Sequence, residues 1–509
     1  MLAKIISGAL AGIDAYTVDV ETDLCGGLPK FEIVGLPDSA VKESKDRVRT
    51  AIKNCGYAFP SKQITINLAP ADTRKEGPAF DLPIAVGILV CMNIIKAKNC
   101  ENAFIIGELS LDGVARPASG VLSMVCHMKN EGVKTMIVPF ENGEEAALIG
   151  GVDIVAVKSL TEVVAYFNGG FTSTVDYRTE NVCLETPPDN PLDFSDVKGQ
   201  DSAKRALEIA AAGAHNVLMI GPPGSGKTMM AKRLPGILPD MGFDESIETT
   251  KIYSVAGMLA NKRALITKRP FRSPHHTISY SALTGGGRVP KPGEISLAHN
   301  GVLFLDELPE FQKNALEVMR QPMEDGNVTI ARINGTFTYP SDFMLVCSMN
   351  PCPCGYYGSG PKCACSQNEI SKYLNRVSGP LLDRIDIQVE ISAVSYDDLG
   401  PNREAEPSAE IKARVLQAIA MQNERFKDDA TRFNAGMSSR QIEAYCALGD
   451  KERKLLKKAF ERLNLSGRAY HKILKVARTI ADLDHRERVE TAHLSEAIQY
   501  RSLDRKYWG

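Results

Sequence analysis

The chain has 509 residues, 44% hydrophobic and 24% charged, which is typical of a soluble globular protein and too long for a single core. Lys and Arg total 60 against 62 Asp and Glu, so no overall basic charge indicates a nucleic-acid partner, and any such contact must be local. No apolar run reaches the ~18 residues that span a bilayer, and the N-terminus lacks a secretory signal, so we expect a cytoplasmic protein without a membrane partner.

The first 167 residues are predicted to form a mixed α and β domain without a phosphate loop. Alternating Ile64, Ile66 and Leu68 predict a strand with one buried face. Before this strand, Asp38 can cap a helix that Gly56 ends. Both patterns are typical of an α+β arrangement.

Three stretches of this domain resemble the Lon-type protease domain and its S5-like relatives: residues 75–79, 81–85 and 132–139. In active members a serine follows the Gly-Pro, and a lysine lies in the helix before the last stretch. By that spacing, this chain has Ala79 at the serine position and Leu122 at about the lysine position. Neither side chain can act as a nucleophile or base, so the resemblance implies a non-proteolytic domain.

Residues 168–192 are predicted to be a linker, because apolar periodicity stops and Gly-Gly, Pro-Pro and Asn-Pro pairs interrupt the stretch. The linker separates the first domain from a region that carries a different kind of motif.

The next motif is an apolar run that enters a glycine-rich loop. The loop consists of Gly221, Pro222, Pro223, Gly224, Ser225, Gly226, Lys227 and Thr228. Glycines let backbone N–H groups turn around a triphosphate, Lys227 can reach the β and γ phosphates, and Thr228 offers a hydroxyl to Mg²⁺. An amphipathic helix is predicted over 229–238. The pattern predicts an ATP and Mg²⁺ site, against the alternative of a Gly/Pro-rich surface turn.

Two further apolar runs end in polar side chains. Residues 301–305 predict a central parallel strand that delivers Asp306 and Glu307 at its carboxyl edge, where open α/β sheets bind ligands. Asp306 would hold Mg²⁺ through water, and Glu307 would activate the attacking water. The alternative is that Asp306 and Glu307 have no catalytic role and only begin a helix, because helix N-termini favour acidic residues. Residues 343–349 predict another strand, which delivers Asn350.

Together these segments resemble the AAA+ ATPases. The resemblance implies that Val197, Gly199 and Gln200 lie on the adenine side of the nucleotide, and that Asn350 touches the γ-phosphate and the water. It implies a core with a parallel sheet over residues 193–395.

Two arginines extend this resemblance. Arg384 occupies the place of the arginine finger, which a neighbouring subunit supplies, so the resemblance implies a closed homo-hexameric ring. An ion pair with Asp383 or Asp386 is the alternative for Arg384. Residues 396–509 resemble the C-terminal helical lid of the Mg-chelatase-like family. The resemblance implies that Arg468, in the first turn of the helix that Ser466 can cap, is the second sensor.

Two insertions resemble those that face the ring pore in the Mg-chelatase and MCM branch of AAA+ proteins. One spans residues 271–300 and the other is a hairpin over 328–339, predicted to turn at Asn-Gly. Arg288, Lys291 and Arg332 are candidates to contact DNA phosphates, with plain solvated charges as the alternative. The pair His275-His276 lacks a third ligand, so a structural role is expected.

Four cysteines fall together: Cys352, Cys354, Cys363 and Cys365. Four soft ligands with intervening glycines could close a tetrahedral Zn²⁺ site. The C-x-C spacing is tighter than the usual C-x-x-C, so free or redox-active thiols remain the alternative.

The whole chain resembles the YifB/ComM family of Mg-chelatase-like ATPases. The resemblance implies an ATP-driven hexamer on branched or single-stranded DNA that promotes branch migration, a helicase activity, during natural transformation. A motor acting on a protein or chelatase-type client is the alternative. A magnesium chelatase subunit would lack the Lon-like domain, and Ala79 and Leu122 argue against a protease. A non-motor scaffold would have lost Lys227, Glu307 and Arg384, all of which are present.

Overall fold

The computed structural model describes residues 2–171, 192–259, 265–287, 290–332, 335–358, 363–393, 405–463 and 465–508. Arg288, one of the predicted DNA contacts, and residues 172–191 of the predicted linker lie outside these ranges. Among the described residues, no helix combines the length and apolar character needed to cross a membrane.

The N-terminal part contains nine strands and six helices within residues 2–167. These are β1 Leu2–Ala11, β2 Asp14–Cys25, β3 Lys30–Val34, α1 Ser39–Asn54, β4 Gln63–Ala69, α2 Asp81–Cys91, α3 Ala97–Cys100, β5 Ala103–Ile105, β6 Glu108–Leu109, β7 Ala115–Arg116, α4 Val121–Asn130, β8 Thr135–Pro139, α5 Gly143–Ala147, β9 Asp153–Val157 and α6 Leu160–Phe167. A mixed sheet has the order β3-β4-β2-β1-β5-β8-β9.

Local sequence explains two of these elements. The Asp38 carboxylate accepts a hydrogen bond of 2.8 Å from the backbone N–H of Val41 and caps α1, as predicted. Strand β4 buries Ile64, Ile66 and Leu68 on one face, which confirms the alternation seen in the sequence.

The second part is built on a parallel sheet. Its elements are α7 Asp201–Gly213, β10 Val217–Ile220, α8 Lys227–Arg233, α9 Phe243–Ala256, β11 Phe271–Arg272, α10 Tyr280–Thr284, β12 Gly285–Gly286, β13 Lys291–Pro292, α11 Glu294–Leu297, β14 Gly301–Leu305, α12 Lys313–Val318, α13 Arg320–Asp325, β15 Asn327–Arg332, β16 Gly335–Pro340, β17 Phe343–Met349, α14 Gln367–Leu374, α15 Gly379–Leu382 and β18 Ile387–Glu390. The sheet has the order β11-β14-β17-β10-β18, and every neighbouring pair is parallel. This confirms the predicted α/β class.

Two sequence predictions in this part need correction. Helix α8 ends at Arg233 rather than near Leu238, because Pro235 cannot continue a helix and a short 3₁₀ turn follows. In the β15–β16 hairpin, Gly335 pairs with Arg332 and begins the second strand, whereas the sequence predicted that it forms the turn together with Asn334.

The C-terminal part is helical. Its helices are α16 Ser408–Arg425, α17 Ser439–Tyr445, α18 Asp450–Leu463, α19 Gly467–Leu483, α20 Thr491–Gln499 and α21 Leu503–Trp508. Ser466 caps α19 by accepting a hydrogen bond of 3.2 Å from the N–H of Ala469. Buried residues of α16 and α19 share one hydrophobic cluster with α7 and one face of the parallel sheet, so the helices and the sheet are packed as one body.

The N-terminal part contacts the second part through a buried carboxylate. Glu145 of α5 accepts hydrogen bonds from the hydroxyl of Ser254 on α9, from the backbone N–H of Leu122 at 3.0 Å, and from Asn142 at 3.1 Å. Burial raises the pKa of Glu145, and these donors act in the opposite direction. Leu122, which the sequence resemblance puts at about the lysine position of Lon-type proteases, therefore belongs to the packing around a hydrogen bond between the two parts of the chain.

Candidate active site

The phosphate loop follows β10, which lies between β17 and β18 in the sheet. Gly224 and Gly226 have φ of 74° and 88°, which L side chains rarely adopt. A Cβ on Gly221 would lie 2.4 Å from the carbonyl oxygen of Ile391. Glycine is therefore required in this loop both for backbone conformation and for a close approach to the end of β18.

Lys227 begins α8 and its ammonium group lies inside the curve of the loop. Its Nζ donates to the carbonyl oxygens of Gly221 at 2.7 Å and Pro222 at 2.9 Å, and to Oδ1 of Asn350 at 3.2 Å. Burial lowers the pKa of Lys227, while the nearby carboxylates of Asp306 and Glu307 oppose that shift. A cation held among carbonyl oxygens at this position is ready to exchange them for phosphate oxygens.

Asp306 lies at the carboxyl end of β14 and meets two hydroxyl groups. Thr228 donates from Oγ1 to Asp306 Oδ2 at 2.7 Å, and Ser348 donates to the other carboxylate oxygen. A hydroxyl and a carboxylate side by side are the oxygen ligands that Mg²⁺ uses in sites completed by water and phosphate. Thr228 and Asp306 therefore fit a Mg²⁺ ion, and Ser348 orients the carboxylate.

Glu307 has a backbone conformation that is unusual for a residue other than glycine, with φ 56° and ψ 49°. Its backbone N–H donates to Asp306 Oδ1 at 3.1 Å. The side chain is 54% exposed, and its Oε2 lies 3.4 Å from Nδ1 of His276. Strained backbone of this kind persists where the surrounding structure fixes it, which is common at active sites.

His276 is a neighbour of the site that sequence reasoning missed. Its ring packs against that of His275, with centroids 4.1 Å apart, and lies edge-on to Phe311 at 6.4 Å. Strand β11 pairs in parallel with β14, so the segment after β11 emerges beside Glu307. The pairing of these two strands is the feature that would have indicated a place near Glu307. Without it, the sequence of the histidine pair suggested only a structural role.

The order of the strands brings the predicted residues together. Strand β17 lies between β10 and β14, so Asn350 stands between the phosphate loop and the acidic pair. Lys227, Thr228, Asp306 and Asn350 are joined by the hydrogen bonds described above, and Glu307 follows directly.

The residues expected near adenine lie at the start of α7. Val197 is buried, and Gly199 and Gln200 have φ of 68° and 62°. Gln200 donates from Nε2 to the carbonyl oxygen of Ser392 at 2.6 Å, next to the residue that contacts Gly221. These three residues therefore lie on the β18 side of the phosphate loop.

Arg384 and Arg468 lie elsewhere. Arg384 is paired with Glu324, rather than with Asp383 or Asp386, and donates to the carbonyl oxygen of Pro380 at 2.7 Å. Arg468 is 61% exposed, with Nη1 3.9 Å from Asp383 Oδ2. Both arginines line one cavity of about 950 Å³, and its described lining contains no residue of the phosphate loop.

The two insertions pack against each other. Lys291 of β13 pairs with Gly286 of β12, and both Lys291 and Arg332 are exposed. A Cβ on Gly286 would lie 3.3 Å from Nη2 of Arg332, and one on Gly285 would lie 2.9 Å from Cδ1 of Ile330. The β12–β13 pair and the β15–β16 hairpin thus form one surface that presents two predicted DNA contacts.

The four clustered cysteines are brought together as free thiols. Their Sγ atoms all lie within 4.8 Å of one another, with Cys352–Cys354 at 3.3 Å, Cys352–Cys363 at 3.8 Å and Cys354–Cys363 at 3.6 Å. The backbone N–H of Tyr356 and the Cys352 thiol lower the pKa of Cys354 to about 6. Cys352, Cys354, Cys363 and Cys365 can therefore hold a metal ion.

Three family descriptions match successive parts of the chain. Residues 193–399 match "Magnesium chelatase, subunit ChlI", residues 20–142 match "Subunit ChlI of Mg-chelatase", and residues 405–501 match "Magnesium chelatase, subunit ChlI C-terminal". The first match contains the phosphate loop, the acidic strand, Asn350 and the cysteines.

Similar proteins cover nearly the full length. Competence protein ComM of Haemophilus influenzae is 44% identical over 508 residues, which is 99% of this chain and 98% of that protein. The uncharacterized protein YifB of Escherichia coli is 42% identical, with the same coverage. Lon protease 2 of Bacillus subtilis is 33% identical over 128 residues, which is 25% of this chain and 22% of that protein.

Proposed function

The chain belongs to the YifB/ComM family of magnesium-chelatase-like AAA+ ATPases, and from this premise we propose that it is a hexameric cytoplasmic motor that hydrolyses ATP to drive DNA branch migration. The observation that carries the proposal is the group formed by Lys227, Thr228, Asp306, Glu307 and Asn350 at the carboxyl ends of three adjacent parallel strands. This group has the donors, the acid pair and the cation that phosphoryl transfer to water requires.

Each residue has a role that follows from its position. Lys227 would contact the β and γ phosphates, and Thr228 with Asp306 would hold Mg²⁺, which neutralises charge on the phosphates. Glu307 would accept a proton from the attacking water, and Asn350 would orient that water. Val197, Gly199 and Gln200 would border the adenine.

The location of the two arginines supports a ring. Arg384 and Arg468 line a cavity that is separate from the phosphate loop of their own chain. A guanidinium that serves phosphoryl transfer must reach the γ-phosphate. If both arginines serve ATP hydrolysis, they serve the site of a neighbouring subunit, as a closed homo-hexamer allows.

The insertions support DNA as the partner. Lys291 and Arg332 are exposed on one surface formed by two packed insertions, where their charges can contact phosphates of single-stranded or branched DNA. The relative from H. influenzae is named a competence protein, which supports a role for this chain in natural transformation. Zn²⁺, held by the four cysteines, is included in the proposal as a structural ion.

The test compares the ATPase rate without DNA and with single-stranded, duplex and four-way DNA. We expect the greatest stimulation with four-way or single-stranded DNA, accompanied by strand exchange in a four-way substrate. Lys291→Ala and Arg332→Ala should each weaken DNA binding across sequences and reduce its salt dependence by about one counterion. Arg453→Ala, on the exposed face of α18, is the matched control. Stimulation by none of these DNAs would refute the DNA motor and favour a protein or chelatase-type client.

A further inference from the structure

We propose that Cys352, Cys354, Cys363 and Cys365 bind one Zn²⁺ ion, and that this ion fixes the position of the phosphate loop by holding Gly355 against Pro223. The inference rests on the ATPase proposed above, and it adds a metal requirement to that site. We call residues 351–358 together with 363–365 the cysteine loop.

The geometry of the sulfur atoms fits a zinc tetrathiolate. A tetrahedron with Zn–S bonds of about 2.3 Å has edges of about 3.8 Å between sulfurs. The separations of 3.3, 3.6 and 3.8 Å among three of the cysteines are close to this value, and Cys365 completes the group within 4.8 Å. They are far longer than the bond of about 2.05 Å in a disulfide. Four soft ligands select Zn²⁺ over Mg²⁺.

A backbone donor supports the ligand set. The N–H of Tyr357 donates to Sγ of Cys352 at 3.3 Å, and Gly355 N–H donates to the carbonyl oxygen of Cys352 at 3.0 Å. The bond from Tyr357 to the sulfur is of the kind that orients a metal ligand and stabilises a thiolate, and the bond from Gly355 fixes the backbone next to it. Cys352 itself is buried, so the group is part of the packed structure.

The cysteine loop touches the phosphate loop directly. Gly355 has φ 86°, and a Cβ built on it would lie 2.5 Å from Cδ and 2.8 Å from Cγ of Pro223. The loop also begins just after Asn350, which accepts a hydrogen bond from Lys227. On its other side, the ring of Tyr357 meets the ring of Tyr507 edge-on at 6.4 Å. The loop is therefore held between α21 and the phosphate loop.

The consequence is that the metal supports nucleotide binding. Without the ion, nothing crosslinks the four thiols, which lie in a glycine-rich segment. Gly355 is then no longer held in contact with Pro223. Zinc loss should therefore raise KM for ATP more than it lowers kcat, because the change acts on the loop that binds phosphate rather than on Glu307.

Metal content is the first measurement. Zinc and iron are determined on the full chain purified in reductant, and we expect one zinc per chain. The double variant Cys354→Ser with Cys365→Ser should contain no zinc and should have a raised KM for ATP. Wild-type protein without stoichiometric zinc, or with iron in its place, would overturn the metal assignment. A zinc-free double variant with an unchanged KM would overturn the coupling.

Two glycine variants test the coupling without removing a ligand. Gly355→Ala places a methyl group against Pro223, and such overpacking displaces neighbouring groups. Because Pro223 belongs to the phosphate loop, we expect the variant to keep zinc while its KM for ATP rises about five- to tenfold. Gly358→Ala is the matched control, because Gly358 has a similar φ of 81° in the same loop but, among the residues that the structure describes, no atom other than those of its chain neighbours lies within 4 Å of the added Cβ. We expect the control to keep both zinc and KM.

Equal KM values for the two glycine variants would refute the coupling, and so would a Gly355→Ala protein that keeps its KM. Wild-type protein that binds zinc but hydrolyses no ATP would instead refute the proposed function and leave the metal site standing. The two failures are therefore distinguishable.

Discussion

The Nδ1 atom of His276 lies 3.4 Å from Oε2 of Glu307, so the residue assigned as the base for water activation is paired with a side chain of the first insertion. The imidazole is itself fixed between His275 and Phe311. The same insertion continues through α10 to β12 and β13, which carry Lys291. The pair therefore connects the carboxylate proposed to activate water to the segment proposed to contact DNA.

Replacing His276 should raise the basal ATPase rate. The pairing occupies one oxygen of the Glu307 carboxylate and reduces its availability to a water molecule. Exposed pairs of this kind contribute about 0.2 to 1 kcal/mol, so His276→Ala should raise kcat by up to about fivefold with little change in KM. His276→Gln retains a hydrogen-bond donor, so its kcat should lie between those of the wild type and of His276→Ala. A lower kcat in a normally folded His276→Ala protein would show that the histidine assists catalysis instead.

Lys227→Ala and Glu307→Gln should separate binding from hydrolysis. Lys227→Ala removes the cation inside the phosphate loop and should abolish turnover. Glu307→Gln leaves the loop intact and should bind ATP while kcat falls about 10² to 10⁴-fold, the range for loss of a general base. A fluorescent ATP analogue measures binding, and Glu310→Gln, at the neighbouring pair with Arg376, is the control. An active Glu307→Gln enzyme would contradict the assignment.

The arginine assignment predicts complementation between two inactive proteins. Arg384→Ala should be inactive alone, because no guanidinium reaches the neighbouring site. In an equal mixture with Lys227→Ala, roughly a quarter of the interfaces in a randomly assembled ring pair an intact loop with an intact Arg384. The mixture should therefore recover up to about a quarter of the wild-type rate. A mixture that stays inactive, although mixed rings form, would indicate that Arg384 acts within its own chain.

The sequence predicted the core of the candidate site because its parts are local patterns. An apolar strand followed by Lys227, by Asp306 or by Asn350 can be read from neighbouring residues, and parallel pairing brings their carboxyl ends to one edge. The helix caps at Asp38 and Ser466 were also predicted, because capping depends on residues three positions apart.

Contacts between distant segments could not be predicted in the same way. The pairs His276 with Glu307, Arg384 with Glu324, and Gly355 with Pro223 depend on how insertions and loops pack. From the spacing of the cysteines, both a zinc site and free thiols were possible. The distances between the sulfur atoms, which show how well they fit a tetrahedron, depend on how the loop folds. For Arg468, the family pattern indicated the role of second sensor. That Arg468 lines a cavity away from the phosphate loop of its own chain depends on how α19 packs, which the sequence does not show.

Asp386→Asn should destabilise the protein at neutral pH. Asp386 is buried and accepts a hydrogen bond of 3.0 Å from the N–H of Asn216, just before β10. Lys472 of α19 donates to its other oxygen at 2.6 Å, and His215 lies 3.6 Å away. Burial alone would raise the pKa of Asp386, but Lys472 and His215 bring it well below its usual value. The ionised carboxylate therefore joins the lid to the sheet.

The sign of the pH dependence follows from that direction. Because the folded pKa lies below the unfolded value of about 3.9, the stabilisation is complete above that value and is lost as the pH falls through the folded pKa. Breaking a buried pair costs about 3 to 5 kcal/mol, so Asp386→Asn should lower the midpoint of thermal unfolding of this body of about 300 residues by roughly 4 to 8 °C at pH 7. The difference from wild type should shrink below pH 4. Asp383→Asn, at the exposed pair with Arg468, is the control and should leave the midpoint unchanged. Equal midpoints for Asp386→Asn and wild type at pH 7 would show that the carboxylate does not hold the lid.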